Sequence, residues 1–349
     1  MTSAMDNDAQ PPENLFAAQQ QLLVERLNLL LAPLHTLLRD DVNCALEGKG
    51  KLLFRPHTDH PANFSTPQSP AAPAGVWPLL TLLVAQHINP DIDPALASSV
   101  AVAVECFVCA LDLLDDIEDE DQTPVVKALG VARTLNVSTT LLMLAQRAIL
   151  SLTQKGVAAE RILTLLDAIQ ESILAATSGQ HRDLLAEQRS AQELTREECI
   201  EIAAGKAGAI MRLACRLGAL CAGATDAECE QLSEAGELLG ISHQLDNDAH
   251  DLYYLLQSDN SALTPSEALS VKTDLVREKK TLPVVLAAKR EDTLPGDEHK
   301  QEYLRALNEG IITTWGICLL YRERARDRLQ EIEAHRPMAP ALRLLLGFE

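Results

Sequence analysis

Aromatic residues make up only 3% of this 349-residue chain, and few segments carry the Val/Ile/Thr alternation of strands. A sheet-built fold is therefore disfavoured, and the abundance of Leu and Ala is a helical composition. Positive charge is also scarce, with 30 Lys and Arg against 50 Asp and Glu and a net charge of −20. That balance argues against a nucleic-acid partner and against an anionic membrane surface. An anionic substrate would need metal ions or a local basic patch to be held by so acidic a protein. The eight cysteines lack any pairing logic. Cys106 and Cys109 stand three apart, but in an apolar stretch with no second pair or nearby His, so they are read as small core residues in a reducing cytoplasmic setting. The opening MTSAMDNDAQPPEN is acidic and polar, so residues 1–14 are expected to be disordered rather than a signal peptide. No uninterrupted apolar run reaches the length of an integral membrane segment. The nearest, Ala95 to Leu114, is interrupted by Glu105 and Asp112.

What is present is a chain 47% hydrophobic, enough for a sizeable core. A helix is expected from Leu15 to Ala45, with apolar positions Leu22, Leu27, Leu30, Leu34 and Leu38. A Pro/Gly/Ser-rich stretch follows, with a long loop over 57–76. From Val76 the pattern is helical to the end. Breaks are expected near Asn89–Pro94, Asp121–Pro124, Gly156, Gly179–Gln188, Gly223–Asp226, Gln257–Pro265, Pro295–Asp297 and Arg336–Pro340. The expected architecture is all-α: a single domain over 15–349, with ten or more helices around a central cavity.

Acidic residues crowd one place, VECFVCALDLLDDIEDED. Asp112, Asp115, Asp116 and Asp119 stand at i, i+3, i+4 and i+7, on one helical face. The helix before them is almost uncharged and should be buried. Carboxylates stacked at the end of a buried helix repel one another unless cations neutralise them, and hard divalent ions prefer carboxylate oxygens. A solvated charge run at a helix end is the plainer alternative. A second cluster lies downstream in GISHQLDNDAHDLYYLL. There Asn247, Asp248 and Asp251 form N-D-x-x-D with Gln244 one turn earlier on the same face, while Asp246 points elsewhere. The two clusters could meet across a cavity and share metals, an arrangement suited to a diphosphate whose oxygens complete the coordination shell.

Taken in order, these residues resemble the trans-isoprenyl diphosphate synthases of the class I isoprenoid synthase fold. Asp115-Asp116-Ile117-Glu118-Asp119 matches that family's first aspartate-rich motif. Gln244 to Asp251 matches its second, with Asn247 in place of an Asp. Gly179-Gln180-His181-Arg182-Asp183-Leu184 resembles its G-Q-x-x-D-L. Gly205-Lys206-Ala207-Gly208 resembles its K-T-G, and Lys279-Lys280-Thr281-Leu282-Pro283 its G-K-x-T-L-P, with Glu278 replacing Gly. The resemblance spans roughly 76–290 and implies the following roles. Magnesium, three ions in all, would be bound by Asp115, Asp116, Asp119, Asn247, Asp248 and Asp251 and would grip the diphosphate of an allylic substrate. Asp112, an extra carboxylate one turn before the motif and not typical of elongating members, would join the metal set or face the cation. Lys206 and Lys279 would touch that diphosphate, their charge being needed as it leaves and a carbocation develops. Gln180, Asp183 and Gln244 would line the substrate. A homodimer is the family's common state.

Departures from the pattern concern the second substrate, isopentenyl diphosphate, which elongating members hold with basic residues. Here Trp77 takes the place of an Arg, the Lys position falls near Ala74, Val108 replaces a His, and Asp121-Gln122-Thr123-Pro124 replaces R-R-G. An earlier segment, Gly50-Lys51-Leu52-Leu53-Phe54-Arg55-Pro56, resembles G-K-x-x-R-P with one extra residue, and could fold back to supply Lys51 and Arg55. The leading expectation is thus a terpene synthase that ionises one allylic diphosphate. The alternatives are a chain-elongating prenyl diphosphate synthase and a peptide prenyltransferase. By the same resemblance Ala110 forms the pocket floor, with Cys109 beside it. These small residues leave room for a chain of geranylgeranyl length unless Phe107 closes the pocket instead.

Overall fold

The computed structural model describes residues 16–49, 51, 76–258, 279–288 and 297–347. The disordered segment expected at 1–14, residues 57–75 of the expected loop, Arg55 and Glu278 lie outside the described residues. Among the described residues all regular structure is helical, and it falls into two compact units.

The first unit comprises 1–165, 217–223 and 338–349. It begins with α1 (Ala17–Leu31) and α2 (Thr36–Gly48). One helix was expected here. Pro33 lacks an amide hydrogen and its ring clashes with the preceding turn, so the chain leaves the helix and re-enters it after the extended His35. Leu23, Leu27 and Leu31 form the buried stripe of α1, whereas Leu22 and Leu30 are only half-buried. The stripe therefore runs one residue off the expected one, sharing Leu27. Next comes α3 (Val76–Ile88), followed by α4 (Pro94–Glu118). Asp93 caps α4 by accepting from the Ala95 amide at 2.8 Å, with Pro94 in the first turn where no amide is needed. Every residue of α4 from Ala97 to Ala110 is buried, because α1, α3 and α6 (Val131–Leu150) pack around it. The Ser138 hydroxyl donates to the Ala110 carbonyl at 2.9 Å, tying α6 to α4. The short α5 (Pro124–Leu129) starts at Thr123, and a 3-10 turn over Ser151–Lys155 follows α6. Among the described residues two helices are long and apolar enough to cross a membrane: Pro94–Glu118, whose most apolar window is 83% buried, and Val131–Lys155, 44% buried. The first has the burial of a core helix.

The second unit comprises 166–216 and 224–337. It contains most of α7 (Ala159–Glu187), then α8 (Arg196–Ala203), a π turn (Ala204–Gly208) and the start of α9 (Ala209–Ala222). After these come α10 (Asp226–Ser258), α11 (Leu282–Ala288) and α12 (Asp297–Glu333). The remaining helix, α13 (Pro340–Leu345), packs on α3 in the first unit. The break expected at Gly179–Gln188 is absent, since α7 runs on to Glu187. Gly179 serves a close crossing instead: a Cβ there would lie 2.6 Å from the Gly205 carbonyl carbon. Two glycines thus let α7 and the π turn touch backbone to backbone.

Candidate functional site

Within the first unit, the acidic helix end carries its own cations. The ammonium of Lys49 donates to both carboxylate oxygens of Asp116, at 2.9 Å each, and the Thr123 hydroxyl donates to Asp116 Oδ2 at 3.0 Å. Lys51 pairs with Asp112 at 2.7 Å. Both lysines leave the C-terminus of α2, where the Lys49 amide bonds to the Ala45 carbonyl and the Lys51 amide to Leu46. That end of α2 is docked on α5, with Gly48 against Val125. Lys51 is 7% exposed. Burial works against its charge, but Asp112 and Glu105 more than offset it and hold its pKa above the ordinary value. Burial raises the Asp116 carboxyl, opposed by Lys49 and Thr123. Asp119 closes α4 as its C-cap and is buried, while Asp115 is half-buried. Asp112 and Asp116 are therefore brought together with lysines rather than left as a bare charge run.

Phe107, Cys109 and Ala110 are fully buried on α4, and burial pushes the Cys109 thiol well up. Val108 is buried in the same run. Trp77 is half-buried in the first turn of α3, where its carbonyl accepts from the Thr81 hydroxyl at 3.2 Å.

Within the second unit, the Gly179–Gly205 crossing sets Asp183, one turn further along α7, against Lys206 in the π turn, at 2.8 Å. Single π turns inside helices recur at functional sites, because the extra residue re-aims a side chain. Gln244 donates to Asp248 Oδ1 at 3.0 Å, one turn along α10. The Asp248 carboxyl is pushed up to about 6. Burial is the main cause and Asp183 adds to it, against the Gln244 hydrogen bond and the charges of Lys206 and Lys279. Asp183, Lys206, Gln244, Asp248 and Lys279 thus share one electrostatic environment, as the motifs imply. Gln180 and Asp251 are half-buried on α7 and α10. Asn247 is exposed and lies 3.3 Å from His243 Nε2, one turn back. Asp246 does point elsewhere: it pairs with Arg322 of α12 at 3.0 Å and with His250 at 3.2 Å.

A polyprenyl synthetase family model matches residues 75–309. The chain belongs to the polyprenyl synthetase family. Its similarity to named members is moderate. It is 34% identical to a geranylgeranyl diphosphate synthase of Mycobacterium tuberculosis over 196 residues, 55% of this chain and 52% of that protein. It is 31% identical to the tryptophan prenyltransferase ComQ of Bacillus spizizenii over 186 residues, 53% of this chain and 56% of that one. A short chain isoprenyl diphosphate synthase of Methanothermobacter thermautotrophicus is 28% identical over 220 residues, 62% and 63% of the two chains. The matched stretch thus spans about half to three-fifths of these relatives. Among solved structures, a geranylgeranyl pyrophosphate synthetase from Geoglobus acetivorans superposes with a TM-score of 0.70 at 19% identity, covering 95% of each chain. A polyprenyl synthase from Caulobacter crescentus, complexed with calcium and isoprenyl diphosphate, gives 0.65 at 20% identity, covering 95% of this chain and 93% of that one. These likenesses show the all-α isoprenoid synthase fold.

Polyprenyl synthetases are generally magnesium-dependent, and the donors present suit that ion. They are carboxylate oxygens, and two of the carboxylates, Asp116 and Asp112, already take positive charge from Lys49 and Lys51. Among the described residues no three His, Cys, Asp or Glu side chains are gathered into a ready cage.

The motifs did not reveal Lys49 and Thr123. Lys49 follows Gly48, just ahead of the Gly50-Lys51 pair that the resemblance singles out, so the doubled Gly-Lys was a signal in plain view. Thr123 lay in a segment noted for the arginines it lacks.

Proposed function

We propose that this chain is a magnesium-dependent trans-prenyl diphosphate synthase that joins an allylic prenyl diphosphate to isopentenyl diphosphate. The carrying observation is the Lys51–Asp112 pair at 2.7 Å. It brings Lys51, of the stretch that resembles G-K-x-x-R-P, beside Asp112 one turn before the first aspartate motif, and so weakens the inference that a second-substrate site is missing. The relatives named as geranylgeranyl, farnesyl and short chain synthases favour the same reading. Asp112, Asp115, Asp116, Asp119, Asn247, Asp248 and Asp251 are the proposed magnesium ligands. Bound magnesium would neutralise the departing diphosphate. Lys206, oriented by Asp183, and Lys279 offset the negative charge of the diphosphate as the carbon–oxygen bond breaks. The isopentenyl double bond then captures the allylic cation, and the resulting cation loses a proton, which the released diphosphate can accept, to leave the lengthened chain. The small Cys109 and Ala110 on buried α4 support a product of geranylgeranyl length. We take 15–349 as one isoprenoid synthase domain. The eight free cysteines support a reducing, cytoplasmic setting, and the exposed Val131, Leu135 and Met143 of α6 support a homodimer.

Trp77 and Val108, apolar where elongating enzymes are basic, favour a second reading: a terpene synthase acting on one allylic diphosphate. Incubation with magnesium and radiolabelled farnesyl or geranylgeranyl diphosphate, each with and without isopentenyl diphosphate, separates the two, the farnesyl arm testing elongation to geranylgeranyl length. A longer diphosphate formed only with both substrates is the expected result. A hydrocarbon or alcohol from the single substrate overturns it in favour of the second reading. The likeness to ComQ adds a control with a tryptophan-containing peptide as acceptor.

A further inference from the structure

We propose that Lys49 and Lys51 are exchangeable counter-ions of the first aspartate motif, displaced by divalent metal and thereby freed to bind the second substrate's diphosphate. The displacement step stands on the geometry alone, whereas the capture step rests on the prenyl-transfer reading.

The Lys49 ammonium sits in the notch of Asp116, 2.9 Å from each oxygen, and Thr123 takes a further lone pair of Oδ2. A carboxylate offers about four lone-pair sites, so three of those on Asp116 are engaged. Magnesium demands oxygens at about 2.0–2.1 Å in near-octahedral array and would repel an ammonium left in the same notch. The metal and the lysine therefore compete for one carboxylate. The same holds at Asp112, whose Oδ2 accepts from Lys51. Lysine suits this exchange: its charge ends a flexible four-carbon stem, and it lacks the rigid fork with which arginine would grip both oxygens.

The displaced ammoniums have a narrow choice of partner. Lys51 is buried and Lys49 nearly so, with side-chain exposures of 9% and 17%. A buried ammonium stripped of its carboxylate is costly unless another anion replaces it. A diphosphate arriving beside the metal-loaded motif meets that need. Metal first and second diphosphate next is thus the favoured order, and each strengthens the other through the two lysines.

Lysine acetylation with an N-hydroxysuccinimide ester, read by peptide mass spectrometry on the full chain, tests both steps. Without metal, Lys49 and Lys51 should label slowly. Magnesium should speed their labelling several-fold, and isopentenyl diphosphate added after magnesium should slow it again. Calorimetry supplies an independent readout. Lys49→Gln should bind magnesium about tenfold tighter than the unmodified chain, since a competing charge worth roughly one tenfold step is gone. Thr123→Val, which leaves that charge in place, should shift binding far less. Labelling unchanged by magnesium, or weaker metal binding by Lys49→Gln, overturns the exchange. Faster labelling with magnesium that isopentenyl diphosphate fails to reverse upholds the exchange and overturns the capture step, whereas the elongating reading stands or falls separately on formation of a longer diphosphate from both substrates.

Discussion

Replacing Gly179 with Ala should damage stability and the site together, in proportion to a distance. The added Cβ would lie 2.6 Å from the Gly205 carbonyl carbon and 2.7 Å from its Cα, both backbone atoms that cannot rotate away. Ordinary contact begins at 3.4 Å, so α7 and the π turn must separate by about 0.8 Å or bend. Overpacking of this kind costs about 2 kcal/mol, equivalent to a fall in Tm of about 3 °C for a chain of 349 residues. The same displacement acts on Lys206, which neighbours Gly205 and meets Asp183 at 2.8 Å across this crossing. Misplacing a charge by roughly 1 Å at a reacting centre costs about 100-fold in rate. Gly218→Ala is the control: its Cβ would meet the Thr81 carbonyl oxygen at 2.5 Å, a similar offence within the first unit. Both variants should lose similar stability by calorimetric melting, but only Gly179→Ala should lose most of its kcat when assayed well below both melting points. Equal kcat losses would mean that general loosening, not the position of Lys206, is responsible. Wild-type melting of Gly179→Ala would refute the packing argument itself.

Three further outcomes are expected. Thr195→Ala removes the capping box of α8, in which Thr195 and Glu198 satisfy each other's backbone amides, and should cost about 1 kcal/mol by urea titration at neutral pH. Glu198 is held down to about 2 by hydrogen bonds from Arg189 and Thr195. A depressed carboxyl stabilises the fold fully above its ordinary 4.5, so the deficit of Thr195→Ala should shrink as pH falls from there toward about 2. Arg322→Leu frees Asp246 on α10 from α12, whereas Ser242 keeps its bond to the Cys318 carbonyl; the pair is half exposed, so melting should fall by no more than about 1–2 °C. Removing divalent metal with EDTA should abolish turnover, and added magnesium should restore it; activity unaffected by chelation would exclude the proposed role of the aspartates.

Much of the site was legible because its signals are local. Asp115, Asp116 and Asp119, or Gln244 and Asp248, lie within one or two turns of a single helix, where spacing alone fixes the shared face. The uncharged run before Asp112 announced a buried helix, and α4 is one. Failures came where a residue acts over distance. Gly179 looked like a helix breaker because its local cost is visible in sequence, whereas its benefit, contact with Gly205, is tertiary. The stripe of α1 slid by one residue because Leu is so frequent there that several faces look apolar, and the neighbours that choose among them lie elsewhere in the chain.

The first aspartate motif shows how weak an absence is when judged by position in an alignment. Trp77 and Val108 stand where basic groups were expected, and a missing cation site seemed to follow. Electrostatics imposes no such order along the chain. Asp112 and Asp116 at the end of a buried helix require positive charge wherever it originates. It comes from Lys49 and Lys51, with Lys49 67 positions away from Asp116. The requirement could be inferred from the acidic helix itself, whereas the identity of the lysines depends on α2 docking through Gly48 onto α5, a packing event without a linear signature. A negatively charged chain can therefore keep its few cations remote in sequence and adjacent in space. The doubled Gly-Lys after α2 is a better guide to the counter-ions of the acidic helix end than any single position facing the motif.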